Sequence, residues 1–283
     1  MTNQALLEQF LNILLPVWKE EEEVYGMFWW SWQEISQSKR SAFFLQKTQE
    51  VSTEDSIVWE KLLIHLQERK PIQYFFGKQY FFGEAFQVNS NTLIPRSETE
   101  ELVEWMLEVL SKSEAMEILD IGTGTGCIAI TLVKKLPNAK ISAIDVSERA
   151  LEVAKNNAKS HQVLVDFWQK DILKEEISEK TWQAIVSNPP YVRELEKATL
   201  LPHVLHEEPG LALFVSNEDP LLFYRVIAQK AWNTLSSGGH LFYEINQYFG
   251  KETIALLQDM GYQYIQLRKD LKGNDRMLHA IKP

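Results

Sequence analysis

The sequence predicts an α/β fold: a seven-stranded, mostly parallel sheet with an antiparallel last strand, plus a small all-helical N-terminal domain joined to it by a β-hairpin. Three observations predict it. From Glu117 onward the strand-like segments EILDI, KISAID, VLVDFW, AIVS, HLFYEI, YQYIQL and RMLHAI alternate with helical stretches near Ala129, Ala150, Leu222 and Ile254. Such alternation gives a sheet with helices on both faces. Only KDLKGND separates the last two strands, too short for a crossover helix, so they pair antiparallel. Before about residue 70 the apolar periodicity is helical throughout.

Taken in order, Leu6, Leu7, Phe10, Leu11, Leu14 and Leu15 recur at helical spacing and form an amphipathic stripe. Glu20 to Glu23 read as a solvated face. The cluster FWWSW, residues 28–32, could stack bases or a ligand, yet in a small helical domain such rings are first of all core. Trp59, Leu62, Leu63 and Leu66 line one side of a later helix. This domain is placed at 1–75. The texture changes at PIQYFFGKQYFFGEAFQV, where aromatics, glycines and period-two alternation predict the hairpin linking the domains, placed at 76–92. In the loop and helix NTLIPRSETEELVEWML, Ser97 is expected as N-cap and Glu100 as its capping-box partner, a helix-start role that would also account for Arg96 and Glu98. The sheet domain is placed at 93–283.

Composition narrows the function. Lys plus Arg number 29 against 39 Asp plus Glu, a net charge of −10, so no global field draws the chain to nucleic acid or an anionic membrane. A single cysteine, Cys127, excludes an intrachain disulfide framework and multi-cysteine metal sites. The N-terminus lacks the basic leader of a secretory signal, and no apolar run approaches the roughly 18 residues of a spanning helix. A cytoplasmic monomer is expected.

LDIGTGTGCIAI is a strand, a glycine turn and a helix. Glycines 122, 124 and 126, with Thr123 and Thr125 between them, let the backbone turn sharply and approach a ligand. The spacing is G-x-G-x-G, where a dinucleotide turn would want its third glycine at position 127, so a nicotinamide dehydrogenase is the weaker reading. Asp145 ends the next strand, where a carboxylate can accept both hydroxyls of a ribose; DVSERA is also a helix start, so capping is its alternative. Asp171 follows the third strand, where it could bond an adenine amino group while Ile172 covers the ring. An ordinary surface turn is its alternative. Cys127 reads as a small packing residue rather than a nucleophile.

AIVSNPPYV, residues 184–192, is a buried strand that must stop at Ser187 or Asn188, because neither Pro189 nor Pro190 has an N–H for the ladder. SNPPY could be only a turn. After the fourth strand of a glycine-loop sheet, however, it lies at the carboxyl edge where such sheets bind ligands.

Together the glycine loop, the acids after strands two and three and the antiparallel final strand resemble the class I S-adenosylmethionine-dependent methyltransferases, a Rossmann-like fold. NPPY resembles the motif of those that modify nitrogen conjugated to a π system. The resemblance narrows further through PIQYFFG (71–77), LIPRSETE (93–100), DIGTGTGCIAI (120–130), SNPPY (187–191), EPGLALF (208–214) and SGGHLFYEI (237–245) to the bacterial release factor glutamine N5-methyltransferases. Ser97 departs from that family's usual second proline. The resemblance implies that Gly122, Thr123, Gly124, Thr125, Gly126, Asp145, Asp171, Ile172 and Asn188 hold S-adenosylmethionine. It implies that Asn188, Pro189, Pro190 and Tyr191, with Pro95 and Arg96, hold the glutamine of a Gly-Gly-Gln loop in class 1 release factors. Asn188, Pro189 and Tyr191 would serve the methyl transfer directly, Asn188 and the Pro189 carbonyl accepting from the amide while Tyr191 stacks on it. The helical domain would meet the protein substrate, and no metal is required. The alternative is an adenine N6-methyltransferase on DNA or ribosomal RNA, which would have to flip its base and grip phosphate without a basic run. A cofactor-binding scaffold without turnover is a third reading. His203 and His206, three apart, make at most half a metal site and read as loop residues. Asp275 and Arg276 are assigned to the final hairpin turn.

Overall fold

The computed structural model describes residues 1–177 and 180–283. The chain divides into two compact units, Met1–Gly77 with Leu201–Glu207, and Lys78–Leu200 with Glu208–Pro283.

In the first unit, α1 (Asn3–Trp18), α2 (Glu21–Ser36), α3 (Arg40–Leu45), α4 (Thr53–Gln67) and α5 (Ile72–Phe76) enclose an aromatic core. Thr2 caps α1 by accepting from the Ala5 N–H, and Ser52 caps α4 through Asp55. Leu6, Phe10 and Leu14 are buried as their spacing predicts, while Leu7, Leu11 and Leu15 flank them. Phe28 sits at the centre, edge-on to Phe10 at 5.4 Å and stacked on Trp59 at 5.3 Å, so the FWWSW cluster is core here.

The hairpin is shorter than its sequence texture suggests. Pro71 and Gly77 close Ile72–Phe76 into a helix, with Gly77 at φ +64° donating back to Gln73. The strands are β1 (Lys78–Phe81) and β2 (Glu84–Gln87), joined through Phe82 and Gly83, both at positive φ. That two-residue turn matches the twist of its strands.

The second unit continues through α6 (Ser97–Val109), β3 (Met116–Ile121), α7 (Cys127–Lys135), β4 (Ala139–Asp145), α8 (Glu148–Ser160), β5 (Asp166–Gln169), β6 (Trp182–Ser187) and β7 (Val192–Arg193). In the first unit α9 (Pro202–Glu207) follows, and the second resumes with α10 (Gly210–Leu213), β8 (Phe214–Val215), α11 (Leu222–Thr234), β9 (Leu235–Glu244), α12 (Gly250–Asp259), β10 (Gln263–Lys269) and β11 (Asp275–Ile281). The seven-stranded sheet has the order β10-β11-β9-β6-β3-β4-β5, with β11 antiparallel to both neighbours. Of the predicted strand VLVDFW, only the second half is ladder. Val163 instead returns its N–H to Ala158 at the end of α8, which delays entry to this edge strand.

Alternation along the central strands sorts side chains into two cores. Ile118, Ala184, Val186 and Phe242 meet α6, α7 and the hairpin; Leu119, Ile185, Leu241 and Tyr243 meet α11 and α12.

The expected capping box at α6 is absent. Arg96 occupies the N-cap position without a side-chain cap, Ser97 bonds Glu98, and Glu100 accepts the Phe82 N–H at 2.6 Å, tying helix to hairpin turn. The loop before α6 is drawn instead toward buried Glu208, which accepts from the Ile94 N–H at 3.0 Å and from the Arg96 guanidinium. Asp275 and Arg276 belong to β11 rather than its turn. The turn is organised by Asp270, whose carboxylate accepts from the N–H groups of Lys272 and Asn274.

Candidate active site

Strands β3, β4, β5 and β6 are parallel, so their carboxyl ends share one edge of the sheet. A cavity of about 400 Å³ opens there. Its lining brings together Pro95, Arg96, Gly122, Thr123, Gly124, Thr125, Asp145, Asp171, Ile172, Asn188, Pro189 and Pro190, contributed by segments far apart in the chain. Gly126 and Tyr191 do not line it.

The glycine turn is built by backbone bonds. The N–H groups of Gly122 and Thr123 both donate to Ile144 O, at 2.8 and 3.0 Å, which folds the end of β3 over β4. Gly122 and Gly124 have φ of +76° and +55°, and a Cβ on either would meet nothing within 4 Å. Their bareness leaves open a cradle beside the backbone. Gly126, φ +79°, differs: a Cβ there would stand 3.1 Å from Ile130 and 3.2 Å from Ala154, so its hydrogen lets α7 approach α8. Beneath the turn, Thr123 donates to buried Asp120 at 2.6 Å, and burial pushes the Asp120 carboxyl up to about 7. Cys127 is buried in the first turn of α7, its thiol pushed up to about 12 by desolvation, so it carries no thiolate chemistry.

Asp145 takes the Gly124 N–H on one oxygen and the Ser147 N–H on the other, both at 2.9 Å. Burial nonetheless raises its pKa. A carboxylate offers about four lone-pair directions, so two remain for a pair of vicinal hydroxyls. Asp171 accepts from the Leu173 N–H and pairs with Lys174 at 2.8 Å, which lowers its pKa, while Ile172 covers the cavity wall beside it. An open glycine cradle, a diol-sized acceptor and an apolar slot with an acid at its rim fit the nucleoside end of S-adenosylmethionine.

Asn188 leaves the end of β6, where Ser187 is tied down by its hydroxyl to Ile121 O at 2.8 Å. Its Nδ2 donates to Thr99 Oγ1 at 3.1 Å, and that hydroxyl donates to Glu244 Oε2 at 2.6 Å. Tyr191 packs on the β9 side, its hydroxyl donating to Glu244 Oε1 at 3.0 Å. Burial and the neighbouring Glu244 hold that phenol well above its ordinary range. Burial raises Glu244 as well, opposed by the Thr99 hydrogen bond and by the Arg276 guanidinium. Asn246, two residues beyond β9, donates to Tyr191 O at 2.9 Å, so Tyr191 is held at both its hydroxyl and its carbonyl.

Sequence reasoning overlooked Thr99, Glu208, Glu244 and Asn157. Glu244 left a signal, a carboxylate closing the apolar run HLFYE, since a charge in a buried strand needs partners. Thr99 was hidden by the helix-start pattern around it. Asn157, fully buried in α8, accepts from the Gln87 N–H at 2.7 Å and donates to Gln87 O and Thr125 O at 3.0 and 2.9 Å. Nothing in the surrounding KNNAK distinguishes it from its neighbour. His203 stacks near Trp18 within the first unit, and among the described residues no group of three or more His, Cys, Asp or Glu could hold a metal ion.

This sheet, with its glycine turn and its acid at the end of the second strand, defines an α/β methyltransferase of the S-adenosylmethionine-dependent class, and residues 98–213 match the Methyltransferase small domain. A methyltransferase from Pyrococcus furiosus has a crystal structure of similar fold, with a TM-score of 0.53 at 17% identity over 71% of this chain and 90% of that one. The chain is 47% identical over 273 residues to a release factor glutamine methyltransferase of Flavobacterium psychrophilum, covering 95% of each. It is 45% identical over 222 residues to the one of Bacteroides thetaiotaomicron, covering 78% of this chain and 79% of that one. The chain belongs to the release factor glutamine methyltransferase family.

Proposed function

We propose that this chain methylates the side-chain amide nitrogen, N5, of the glutamine in the Gly-Gly-Gln motif of class 1 peptide chain release factors, using S-adenosylmethionine. The observation that carries the reading is the Asn188 carboxamide, held by its nitrogen at Thr99 so that its oxygen is left to accept from a substrate N–H. Near-full-length likeness to relatives named for this activity supports it.

When bound, the sulfonium supplies an electrophilic methyl group. An amide nitrogen is a poor nucleophile because its lone pair is delocalised. Asn188 Oδ1 and the Pro189 carbonyl would accept its two N–H groups and favour pyramidalisation at nitrogen. The cofactor would supply the methyl carbon and retain the carbon–sulfur electron pair, while the amide nitrogen held by Asn188 and Pro189 would exchange one proton, lost to water, for the methyl group. Positive charge grows on nitrogen as this happens, so the acceptor dipoles bind the transition state more tightly than the ground state. The two prolines and the bonds of Thr99 and Asn246 keep those dipoles from reorienting. Gly122, Gly124, Asp145, Asp171 and Ile172 would hold the cofactor, while Pro95 and Arg96, fixed by Glu208, would border the substrate. The helical unit would contact the release factor.

The test offers S-adenosylmethionine labelled in its methyl group to purified release factor and, separately, to DNA and ribosomal RNA. Label on the release factor, lost when its motif glutamine is replaced, supports the reading. Label on nucleic acid alone would replace it with the adenine N6 alternative, and label on neither would leave a scaffold.

A further inference from the structure

Methyl transfer to an amide demands that position 188 present an acceptor, yet a carboxamide has two ends of nearly equal shape. One end accepts and the other donates. If the Asn188 group were turned over, its NH₂ would meet the substrate N–H groups and the clamp would repel what it should hold. Some neighbour must therefore decide which end faces the cavity.

The proton inventory around Thr99 makes that decision. Glu244 is 1% exposed, and its two oxygens accept from Thr99 Oγ1 at 2.6 Å and from the Tyr191 hydroxyl at 3.0 Å. As a carboxylate it has no proton to give. Burial raises the Glu244 pKa, and Arg276, which bonds Ile245 O at 3.2 Å, the Tyr191 hydroxyl at 3.5 Å and Asp270 at 3.2 Å, opposes that rise and favours the ionised form. A threonine hydroxyl owns a single proton, and here it is committed to Glu244. Toward Asn188 the hydroxyl can only accept, so the group opposite it at 3.1 Å must be the NH₂. The amide oxygen is thereby turned to the other side. Polarity passes from a buried charge, through one hydroxyl, to the acceptor that meets substrate.

We propose that Thr99 is a positioning residue for methyl transfer, relaying the Glu244 carboxylate so as to fix the Asn188 amide with its oxygen toward the substrate nitrogen. The inference rests on the reading of the site as a glutamine methyltransferase. Thr99 makes no bond of the reaction. It sets the sign of the dipole that does, and a residue serving only as packing would be replaceable by any side chain of the same shape.

The experiment compares Thr99→Val, which keeps the shape and removes the hydroxyl, with Thr99→Ser, which keeps the hydroxyl. In the full-length enzyme, Thr99→Val is expected to lower kcat on release factor by on the order of 10²-fold, the usual effect of losing one oriented transition-state partner. KM for release factor and affinity for S-adenosylhomocysteine should stay within about threefold, since neither depends on the dipole growing stronger during the step. Thr99→Ser should recover at least roughly a tenth of the wild-type kcat. A second readout needs no substrate: in protein labelled with ¹⁵N-asparagine, the side-chain amide protons of Asn188, assigned by their loss in Asn188→Asp, should resist solvent exchange in wild type and Thr99→Ser and exchange readily in Thr99→Val. A Thr99→Val enzyme with kcat within threefold of wild type, a Thr99→Ser enzyme as slow as Thr99→Val, or equal amide protection in all three would overturn the proposal. Failure of wild type to label release factor would instead defeat the functional reading, and the exchange comparison would then decide the relay by itself.

Discussion

Gly124 and Gly126 lie two residues apart with similar backbone angles, yet their alanine variants should fail in opposite ways. Both have positive φ, +55° and +79°, where a side chain costs about 1–2 kcal/mol. For Gly124 that is the whole structural cost, because its Cβ would meet nothing within 4 Å. The methyl would occupy open space at the cavity lining, where the proposed cofactor would come close. Losing even one cradle hydrogen bond by displacement costs about 1.5 kcal/mol, or roughly tenfold in affinity. For Gly126 the methyl would press on Ile130 at 3.1 Å and Ala154 at 3.2 Å, adding about 1–3 kcal/mol of overpacking between helices. Urea unfolding of the two variants should therefore show losses of about 1–2 and about 2–5 kcal/mol respectively. Titration calorimetry with S-adenosylhomocysteine should show at least about tenfold weaker binding for Gly124→Ala, and for folded Gly126→Ala a change under about threefold. Unchanged affinity in Gly124→Ala, or equal stability of the two variants, would refute this division between cradle and helix contact.

Asn188→Ala should cut methyl transfer by on the order of 10²-fold, far more than it weakens S-adenosylhomocysteine binding, a loss that single-turnover kinetics would assign to the chemical step. Asp120 predicts a pH effect: its carboxyl is raised to about 7 by burial, against an ordinary 3.8, so the native state holds the proton more tightly than the unfolded chain. Its contribution to stability is therefore present at low pH and lost as pH rises toward and through 7, by roughly 2–3 kcal/mol between pH 5 and 8. Urea unfolding of Asp120→Asn, minus wild type, should change by that amount over the same range; a flat difference would exclude the shift. Phe28→Ala, removing the ring at the centre of the helical unit, should destabilise that unit by about 3–5 kcal/mol, measurable as early loss of tryptophan fluorescence on heating.

The parallel sheet was legible because fully buried strands read as apolar runs and their helices carry a different period. The same rule located Gly122, Gly124 and Asp145, whose positions are dictated by strand ends. It erred where local texture competes with tertiary pull. Ile72–Phe76 looks like strand by its aromatics but is closed as helix by Pro71 and Gly77. Ser97 and Glu100 have the spacing of a capping box, yet Glu208, more than a hundred residues away, draws the loop so that Arg96 stands at the N-cap position. The NPP turn could be placed at the cavity from the strand pattern, whereas Thr99 and Glu244 meet only because α6 packs over β9. No pairing across 145 residues leaves a periodic mark in a single chain.

The Asn157 carboxamide, held on one flank by Gln87 and on the other by Thr125, works as a splice between two otherwise separate pieces of backbone. At Gln87, the last residue of β2, the backbone donor and acceptor that would otherwise be open to another strand are both taken by an amide borrowed from a helix. The same three bonds pin the hairpin and the glycine turn to one side chain, so the position of each is referred to a single point on α8.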